Sequence, residues 1–413
     1  MRVLLISHTC QSAVEGQPKA QVMGTLPGMD LRVLVPHQWL EYGKWRAPSP
    51  PNPNEASFTY TVGRVACAWA GPAQCYLHSY PGLARLLRTF RPDIIDIWEE
   101  PWSLLSAQVC WLRNRLLPSA KIVSETEANI NRSHPYPFEN WRTYTFQNAD
   151  FVVGRSEEAV EVVRAKGYDG PAAAVGNAVD SMLFRPMDRE ACREALGVSG
   201  FVVGYMGRLV PEKGLMDLVE ALAHPHCPSS VNLLLVGQGD FQAVLAERAA
   251  ALGVDARVRF VPARSLNDLP GIMNALDVFT LPSRTTRTWK EQFGRVIIEA
   301  HACGIPVIGS DSGAIPQVVG AGGLIVPEGD SSALATAFAT LASNSVETAR
   351  KGRLGLAQVH DRYTWEQVAR QMFEIYQSIL KPRSITEQTL MGRYSCRVSD
   401  AVADVSRAFD ARR

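Results

Sequence analysis

The sequence predicts an α/β protein made of two successive domains, each with a doubly wound parallel sheet. Short apolar runs alternate with helix-period segments along most of the chain, as expected for parallel strands joined by crossover helices. The chain has 413 residues, more than one ordinary hydrophobic core accommodates. A turn-rich connection before Arg185-Pro186 separates two such series. We therefore expect a first domain at 1–175, a second at 176–365 and a tail at 382–413.

Composition excludes several kinds of protein. Hydrophobic residues make up 46% of the chain, which is typical of folded domains. The formal net charge is +1, so no overall electrostatic field attracts nucleic acid. No apolar run reaches the roughly 18 residues that span a bilayer, and the apolar start leads into polar sequence rather than a signal peptide. The eight cysteines show no metal-ligand spacing. We expect a cytoplasmic protein, with local contact at the inner face of the membrane left open.

The first half alternates strand and helix signals up to the domain boundary. Its strands are short runs rich in Val, Ile and Leu, and the helices between them show apolar residues at helical spacing. The predicted strands are 2–7, 30–36, 57–65, 94–98, 121–124 and 150–154, and the predicted helices are 81–90, 103–117 and 156–166.

Polar side chains follow three of these strands. His8 comes after the first strand, Glu99 and Glu100 after the strand at 94–98, and a polar loop after the strand at 121–124. Because ligands of open α/β sheets bind at the carboxyl ends of strands, these groups are candidates for hydrogen bonds to a sugar-like acceptor. Trp102 offers an apolar face for a ring. Solvated strand ends with a packing tryptophan are the alternative.

The second half repeats the alternation. The predicted strands are 201–206, 231–236, 258–262, 277–283, 306–310 and 322–326, and the predicted helices are 215–223, 295–303 and 333–342. A last helix is expected to begin at 363–366.

Two carboxylates in this half, Glu291 and Glu299, lie on either side of Phe293-Gly294, the turn expected to start a helix at Arg295. At about 1.5 Å of rise per residue they are on the order of 12 Å apart. The unpaired N–H groups and the positive dipole end of the helix lie between them, which suits an elongated anionic ligand. A salt-bridged helix start is the alternative.

A second motif begins at Gly207, where Arg208 and Lys213 bracket the entry of a helix. Arginine forks onto two phosphate oxygens and lysine supplies a point charge, so an anion fits there. Gly237 and Gly313 begin turns after other strands of the same sheet, and glycine lets the backbone approach a ligand closely. Each motif alone also fits a solvated turn. Together they indicate a site for a diphosphate with a polyol at each end.

These residues resemble family 4 of the retaining glycosyltransferases, the glycogen-synthase-like group with two facing Rossmann-like domains and a cleft between them, known as the GT-B fold. The E-x7-E motif of that family matches Glu291 to Glu299, and the cations of its G-R-x-x-x-x-K-G motif match Arg208 and Lys213. Phe293-Gly294 and Gly313 also match. The resemblance is strong over about 170–380 and looser before it.

The resemblance implies a nucleoside-diphosphate sugar donor, linked to UDP, GDP or ADP and held mainly by the second domain. It implies a saccharide, lipid-linked or other acceptor. Arg208 and Lys213 would bind the diphosphate, and Glu299 the ribose hydroxyls. Glu291 would bind the donor sugar, assisted by backbone N–H groups near Phe293, Gly294 and Arg295. No cofactor or metal ion is implied, and the sequence contains no D-x-D motif.

The sequence departs from this family in its first domain. Many relatives have a Gly-Gly loop after the first strand, where this chain has His8-Thr9-Cys10. They also have a histidine where this chain reads Glu125-Thr126-Glu127-Ala128-Asn129. We therefore take Glu127 and Asn129 as candidates for contact with the acceptor or for the assisting group. By resemblance, a helix at about 366–381 returns to the first domain. From its own sequence, Ala401–Phe409 is either an amphipathic helix or a frayed tail.

Two other functions compete with glycosyl transfer. A non-catalytic nucleotide-sugar sensor fits the altered first-domain loops. A sugar epimerase or phosphorylase of the same fold is disfavoured, because the E-x7-E motif together with Arg208 and Lys213 suits a donor nucleotide. The sequence leaves the base, the sugar, the acceptor and the oligomeric state open.

Overall fold

The computed structural model describes residues 1–41 and 43–381 of the chain. The tail at 382–413, including Ala401–Phe409, lies outside the described residues. The described chain forms two parallel sheets, each flanked by helices, so the predicted α/β class is confirmed. None of the seven cysteines in the described ranges forms a disulfide. Within the same ranges, no helix has the length and apolar character needed to cross a membrane.

The first sheet has seven parallel strands in the order β5-β2-β1-β6-β7-β8-β9, and two short strands, β3 and β4, form a separate antiparallel pair. Its central strands are buried and mainly apolar, as parallel sheets covered by helices require, apart from a few buried polar groups in β6 and β7. The strands are β1 (Arg2–Ile6), β2 (Asp30–Pro36), β3 (Trp39–Glu41), β4 (Lys44–Arg46), β5 (Thr59–Gly63), β6 (Ile94–Ile97), β7 (Lys121–Thr126), β8 (Phe151–Gly154) and β9 (Ala172–Ala174).

Six helices of the described chain connect these strands. Serine side chains cap two of them, since Ser103 Oγ accepts from the backbone N–H of Ser106 and Ser156 Oγ accepts from that of Ala159. The helices are α1 (Gln17–Gly24), α2 (Gln74–Leu77), α3 (Leu83–Phe90), α4 (Leu104–Leu116), α5 (Phe138–Asn148) and α6 (Glu157–Ala165).

The second sheet has six parallel strands in the order β12-β11-β10-β13-β14-β15. Its strands are β10 (Phe201–Met206), β11 (Val231–Val236), β12 (Val258–Val261), β13 (Val278–Leu281), β14 (Val307–Ser310) and β15 (Gly323–Val326). The remaining helices are α7 (Arg189–Leu196), α8 (Leu215–Ala223), α9 (Gln242–Ala251), α10 (Leu269–Asn274), α11 (Arg295–Ala302), α12 (Ile315–Val319), α13 (Ser331–Ser343), α14 (Ser345–Arg362) and α15 (Trp365–Leu380).

The last helix of the described chain lies close to the expected one at about 366–381. Residues 361 and 362 close α14, and a new helix, α15, starts at Trp365. Thr364 is extended, and its side chain accepts from the backbone N–H of Gln367 at 3.3 Å, so it caps α15 instead of continuing α14.

The helix α15 packs against α1 in the first domain. Val368, Met372 and Tyr376 join the apolar cluster of the first sheet, which includes Val3 and Leu5. The chain thus crosses between the sheets twice, after β9 and before α15. The two crossings touch, because the backbone N–H of Val179 donates to the carbonyl of Tyr363 at 2.8 Å.

A buried cluster of charged and polar groups joins α1 and α15 to the first sheet. Lys19 Nζ lies 2.6 Å from Glu125 Oε1, and Tyr376 Oη donates to Asp96 Oδ2 at 2.5 Å. Arg155 pairs with the other oxygen of Glu125. Burial, together with the nearby Glu125 carboxylate, raises the pKa of Asp96 well above its ordinary value.

Candidate functional site

The loop between β13 and α11 places Glu291 ahead of a helix start. Gly294 has φ of +80°, in the left-handed region that favours glycine, and α11 begins at the next residue. Phe293 is buried beside Tyr363, with their ring centroids 5.6 Å apart. The turn at Phe293-Gly294 therefore starts the helix, as the sequence predicts.

Two of the candidate site residues meet where this loop contacts the turn after β10. Lys213 Nζ lies 2.6 Å from Glu291 Oε2, and Ser283 Oγ donates to the same oxygen at 3.0 Å. The Lys213 ammonium also lies 4.7 Å from the ring centroid of Trp289, a cation–π distance. The G-R-x-x-x-x-K-G turn and the first carboxylate of the E-x7-E motif thus form one charged unit.

Glu299 is separate from that unit, inside the first two turns of α11. It is only 6% exposed, and Arg295 Nε lies 3.3 Å from its Oε1 across one helical turn. Burial raises the pKa of Glu299, although Arg295 opposes the change. A buried carboxyl with one described ion-pair partner retains oxygen lone pairs that ligand hydroxyls can use.

Arg208 is the most solvent-accessible of the candidate cations. Its side chain is 56% exposed, and its guanidinium lies 3.7 Å from the Glu212 carboxylate. The turn itself is fixed, because Tyr205 Oη donates to the carbonyl of Arg208 at 2.8 Å. A rigid turn with a largely exposed guanidinium is suited to a charged ligand.

The glycines at the strand ends allow the turns to pack on one another. Gly207 and Gly237 have φ of +150° and +148°, and a Cβ at Gly237 would collide with the carbonyl oxygen of Gly207. Gly313 has φ of +56°, and a Cβ there would collide with the carbonyl oxygen of Glu291. We expected these glycines to admit a ligand. Their contacts also show that they bring neighbouring turns into backbone contact.

In the first domain, His8 and Glu99 form a second cluster. His8 Nδ1 lies 2.7 Å and 2.8 Å from the two carboxylate oxygens of Glu99, and the His8 backbone N–H donates to Glu99 Oε1. Burial alone would raise the pKa of Glu99, but His8 holds it below its ordinary value. The His8 ring stacks on Trp39, with centroids 4.5 Å apart, and buried His78 lies 3.9 Å from Glu99.

Sequence reasoning missed Trp39 and His78. The stretch around Trp39 was interpreted as an irregular excursion, and β3 with β4 gives it a fixed shape. Its richness in aromatic residues was the available signal.

Glu100 turns toward the loop after β7. Thr126 Oγ1 donates to Glu100 Oε2 at 2.6 Å, and the backbone N–H of Glu127 donates to Oε1 at 3.0 Å. Burial raises the pKa of Glu100 to about 7. The Glu127 side chain is partly exposed and lies 3.5 Å from Arg155 Nε.

Asn129 lies at the contact between the domains. Its side chain is buried, and Nδ2 donates to the carbonyl oxygen of Glu291 at 2.8 Å and to Glu158 Oε2 at 3.0 Å. The structure therefore brings a first-domain candidate onto the main chain of a second-domain candidate.

A row of aromatic rings joins α2 to the segments that follow β6 and β7. Trp102 stacks on His134 with centroids 4.6 Å apart, and Tyr76 lies 5.8 Å from His134 and 5.0 Å from Phe138. These rings are half-buried. Of the row, only Trp102 was singled out from the sequence.

Comparison with known proteins gives one family match. The sequence model of the family described as glycosyl transferases group 1 matches residues 188–353. This segment contains the four charged candidates of the second domain, namely Arg208, Lys213, Glu291 and Glu299.

Several curated proteins are similar to this chain. A GDP-mannose-dependent monoacylated alpha-(1-6)-phosphatidylinositol monomannoside mannosyltransferase of Corynebacterium glutamicum is 33% identical over 203 residues, 47% of this chain and 52% of that protein. The lipopolysaccharide core biosynthesis mannosyltransferase LpsB of Rhizobium meliloti is 27% identical over 73% of this chain and 88% of that protein. A D-inositol 3-phosphate glycosyltransferase of Rhodococcus opacus is 34% identical over 54% of this chain and 52% of that protein. Apart from LpsB, this chain spans about half the length of these relatives.

Solved structures resemble the whole two-domain arrangement. HepE of Anabaena in complex with UDP superposes with a TM-score of 0.69 at 20% identity, covering 91% of this chain and 99% of that chain. Sucrose-phosphate synthase from Thermosynechococcus elongatus gives 0.69 at 22% identity, covering 92% and 99%. At these identities the likeness establishes the fold.

Proposed function

We propose that this chain, whose residues 188–353 match the group 1 glycosyltransferases and which has the GT-B fold, transfers a sugar from a nucleoside-diphosphate sugar to a saccharide or lipid-linked acceptor with retention of configuration. The observation that carries the proposal is the 2.6 Å contact of Lys213 with Glu291 beside the Arg208 turn and the start of α11. A cation for a phosphate and a carboxylate for sugar hydroxyls are thereby adjacent.

The donor diphosphate binds at the end of the second sheet. Arg208 forks onto phosphate oxygens, Lys213 contributes a point charge, and the N–H groups at the start of α11 point to the same anion. Because negative charge grows on the diphosphate as the glycosidic bond breaks, these groups stabilise the transition state more than the bound donor. In this scheme the protein supplies that positive charge, and no metal ion is assigned a role.

The two carboxylates, Glu291 and Glu299, bind different parts of the donor. Glu299, buried in α11, accepts hydrogen bonds from the ribose hydroxyls, and Glu291 accepts them from the donor sugar. In the structure Lys213 forms an ion pair with the Glu291 carboxylate. When the diphosphate arrives, Lys213 turns partly to the phosphate, and Glu291 becomes available to the sugar.

The acceptor binds on the first domain. The His8–Glu99 pair and Glu100 offer hydrogen-bonding groups, and the row of Tyr76, Trp102 and His134 offers apolar faces for sugar rings. The Corynebacterium relative acts on a phosphatidylinositol monomannoside and LpsB acts in lipopolysaccharide core biosynthesis. We therefore favour a lipid-linked saccharide as the acceptor.

A donor panel tests the proposal. The Corynebacterium relative is GDP-mannose-dependent and HepE binds UDP, so the panel contains UDP, GDP and ADP with their sugars. We expect one nucleotide series to raise the melting temperature of the purified protein and its sugar form to be hydrolysed or transferred. If no nucleotide binds, the proposal is wrong. If one binds and neither hydrolysis nor transfer occurs with saccharide or glycolipid acceptors, the chain is a nucleotide-sugar sensor.

A further inference from the structure

Asn129 makes an unusual connection for a residue of the acceptor-side domain. It lies in the loop after β7, is 4% exposed, and uses its side-chain amide on two oxygens. One is the Glu158 carboxylate at the start of α6, in its own domain. The other is the main-chain carbonyl of Glu291, in the other domain. The amide therefore links the two domains at the residue assigned to the donor sugar.

The Glu291 carbonyl is held from both sides. The backbone N–H of Ala314 donates to it at 3.2 Å from the second domain, and Asn129 Nδ2 donates at 2.8 Å from the first. Gly313 packs so closely that a Cβ would collide with this carbonyl. The side chain of Glu291 is fixed separately by Lys213 and Ser283. The main chain of Glu291 is therefore the part of this residue that Asn129 of the first domain contacts.

Neighbouring contacts reinforce this link. The second oxygen of Glu158 pairs with Lys290, the residue before Glu291. Arg132 donates to the carbonyl of Thr288 at 2.7 Å, and the Glu157 backbone N–H donates to Gln317 Oε1 at 3.2 Å. First-domain groups thus contact three residues of the segment 288–291, namely Thr288, Lys290 and Glu291. Asn129 is the buried one, and Glu158 orients it.

We propose that Asn129 is a positioning residue, which sets the place of the Glu291 carboxylate by holding its main chain from the opposite domain. The inference rests on the proposed function and deepens it. The donor nucleotide is held by second-domain groups alone, whereas the sugar contact through Glu291 is complete only when the first domain is docked. Asn129 therefore affects the transfer step and not nucleotide affinity.

Three variants and one control distinguish positioning of Glu291 from a general effect on folding. Asn129→Ala removes both hydrogen bonds, and Asn129→Asp places a third acceptor against the Glu158 carboxylate and the Glu291 carbonyl. Glu158→Gln keeps an acceptor for Asn129 while weakening its orientation. Asn131→Ala, at an exposed position of the same loop, is the matched control. Melting temperatures show whether each variant is folded.

Kinetics give the first readout. We expect kcat to fall roughly 5- to 30-fold in Asn129→Ala, corresponding to one or two lost hydrogen bonds, and further in Asn129→Asp. The kcat of Glu158→Gln should fall less, and that of Asn131→Ala should not change. The dissociation constant for the nucleoside diphosphate, measured by calorimetry, should stay within twofold. An unchanged kcat, or an equal loss of kcat and nucleotide affinity, would overturn the proposal.

Hydrogen exchange gives a readout that needs no activity. Backbone amides in 286–294 should exchange faster in Asn129→Ala than in the wild type and in Asn131→Ala. If that segment is unchanged, Asn129 does not position it, whatever the kinetics show. If the wild type neither binds a donor nor transfers a sugar, the proposed function fails, while exchange still decides whether Asn129 holds the Glu291 segment.

Discussion

Lys213 and Glu291, which we assign to different parts of one donor, are each other's partners in the structure, 2.6 Å apart. Both residues could be identified from the sequence, because each belongs to a local motif with fixed spacing that follows a strand of the same sheet. Sequence reasoning did not foresee that they pair, since 78 positions separate them and the contact depends on how the β10 and β13 ends meet. Charged groups that hold one another in this way remain ordered until a ligand competes.

Replacing Glu291 by Gln should separate its two roles. The variant no longer draws Lys213 away from phosphate, so affinity for the nucleoside diphosphate should be unchanged or a few-fold tighter. Turnover should fall, because the carboxylate that we assign to the donor sugar is lost. Calorimetry with the nucleotide and steady-state kinetics measure the two. A parallel loss of affinity would place Glu291 on the nucleotide and contradict the assignment.

Replacing Arg208 or Glu299 by Ala should act on nucleotide binding itself. Each variant loses charged hydrogen bonds to the ligand, and we expect binding weaker by about 1–3 kcal/mol. Arg353→Ala, at an exposed position on α14, is the control. Titration calorimetry measures the change. Affinity equal to that of the control would remove the residue from the site.

At the scale of elements, the predicted strands and helices of the second domain lie close to the observed ones, as with α8 and β11, because buried parallel strands are short apolar runs bounded by glycine turns. The helix α14 was missed, since its residues are mostly polar and few are buried. The first-domain hairpin of β3 and β4 was missed because three-residue strands carry little periodic signal.

The turn at Gly313 should be intolerant of a side chain. Gly313→Ala places a methyl group against the Glu291 carbonyl and forces alanine into the left-handed backbone region. The free energy of unfolding should therefore fall by about 1–3 kcal/mol. Gly271→Ala in α10, where a Cβ meets nothing within 4 Å, should be neutral or stabilising. Urea unfolding of both variants tests the difference. Equal stability would mean that the turn relaxes at little cost.

At the scale of the whole molecule, sequence and structure agree on two parallel-sheet domains with the GT-B fold. The second-domain residues of the site could be found from spacing, because they lie on local motifs. Asn129, Trp39 and His78 could be placed only by tertiary contacts. For Asn129 that contact joins residues 162 positions apart, across two domains, and nothing local in the sequence encodes it.

The contact of Tyr376 with Asp96 should help attach α15 to the first domain. Tyr376→Phe leaves the buried Asp96 carboxyl without its hydrogen-bond donor, so the unfolding free energy should fall by about 1–3 kcal/mol. A double-mutant cycle with Asp96→Ala should show coupling of about 0.5–3 kcal/mol. Strictly additive losses in chemical unfolding would mean that the two residues do not support each other.

The return of α15 also sets an order of assembly during synthesis. The first sheet leaves the ribosome early, but part of one apolar face stays uncovered until Val368, Met372 and Tyr376 have been made. The second sheet, by contrast, is one uninterrupted segment that can close before α15 exists. The domain synthesised first is therefore the last to be completed. Its exposed face during that interval is the part of the nascent chain that most needs protection from aggregation.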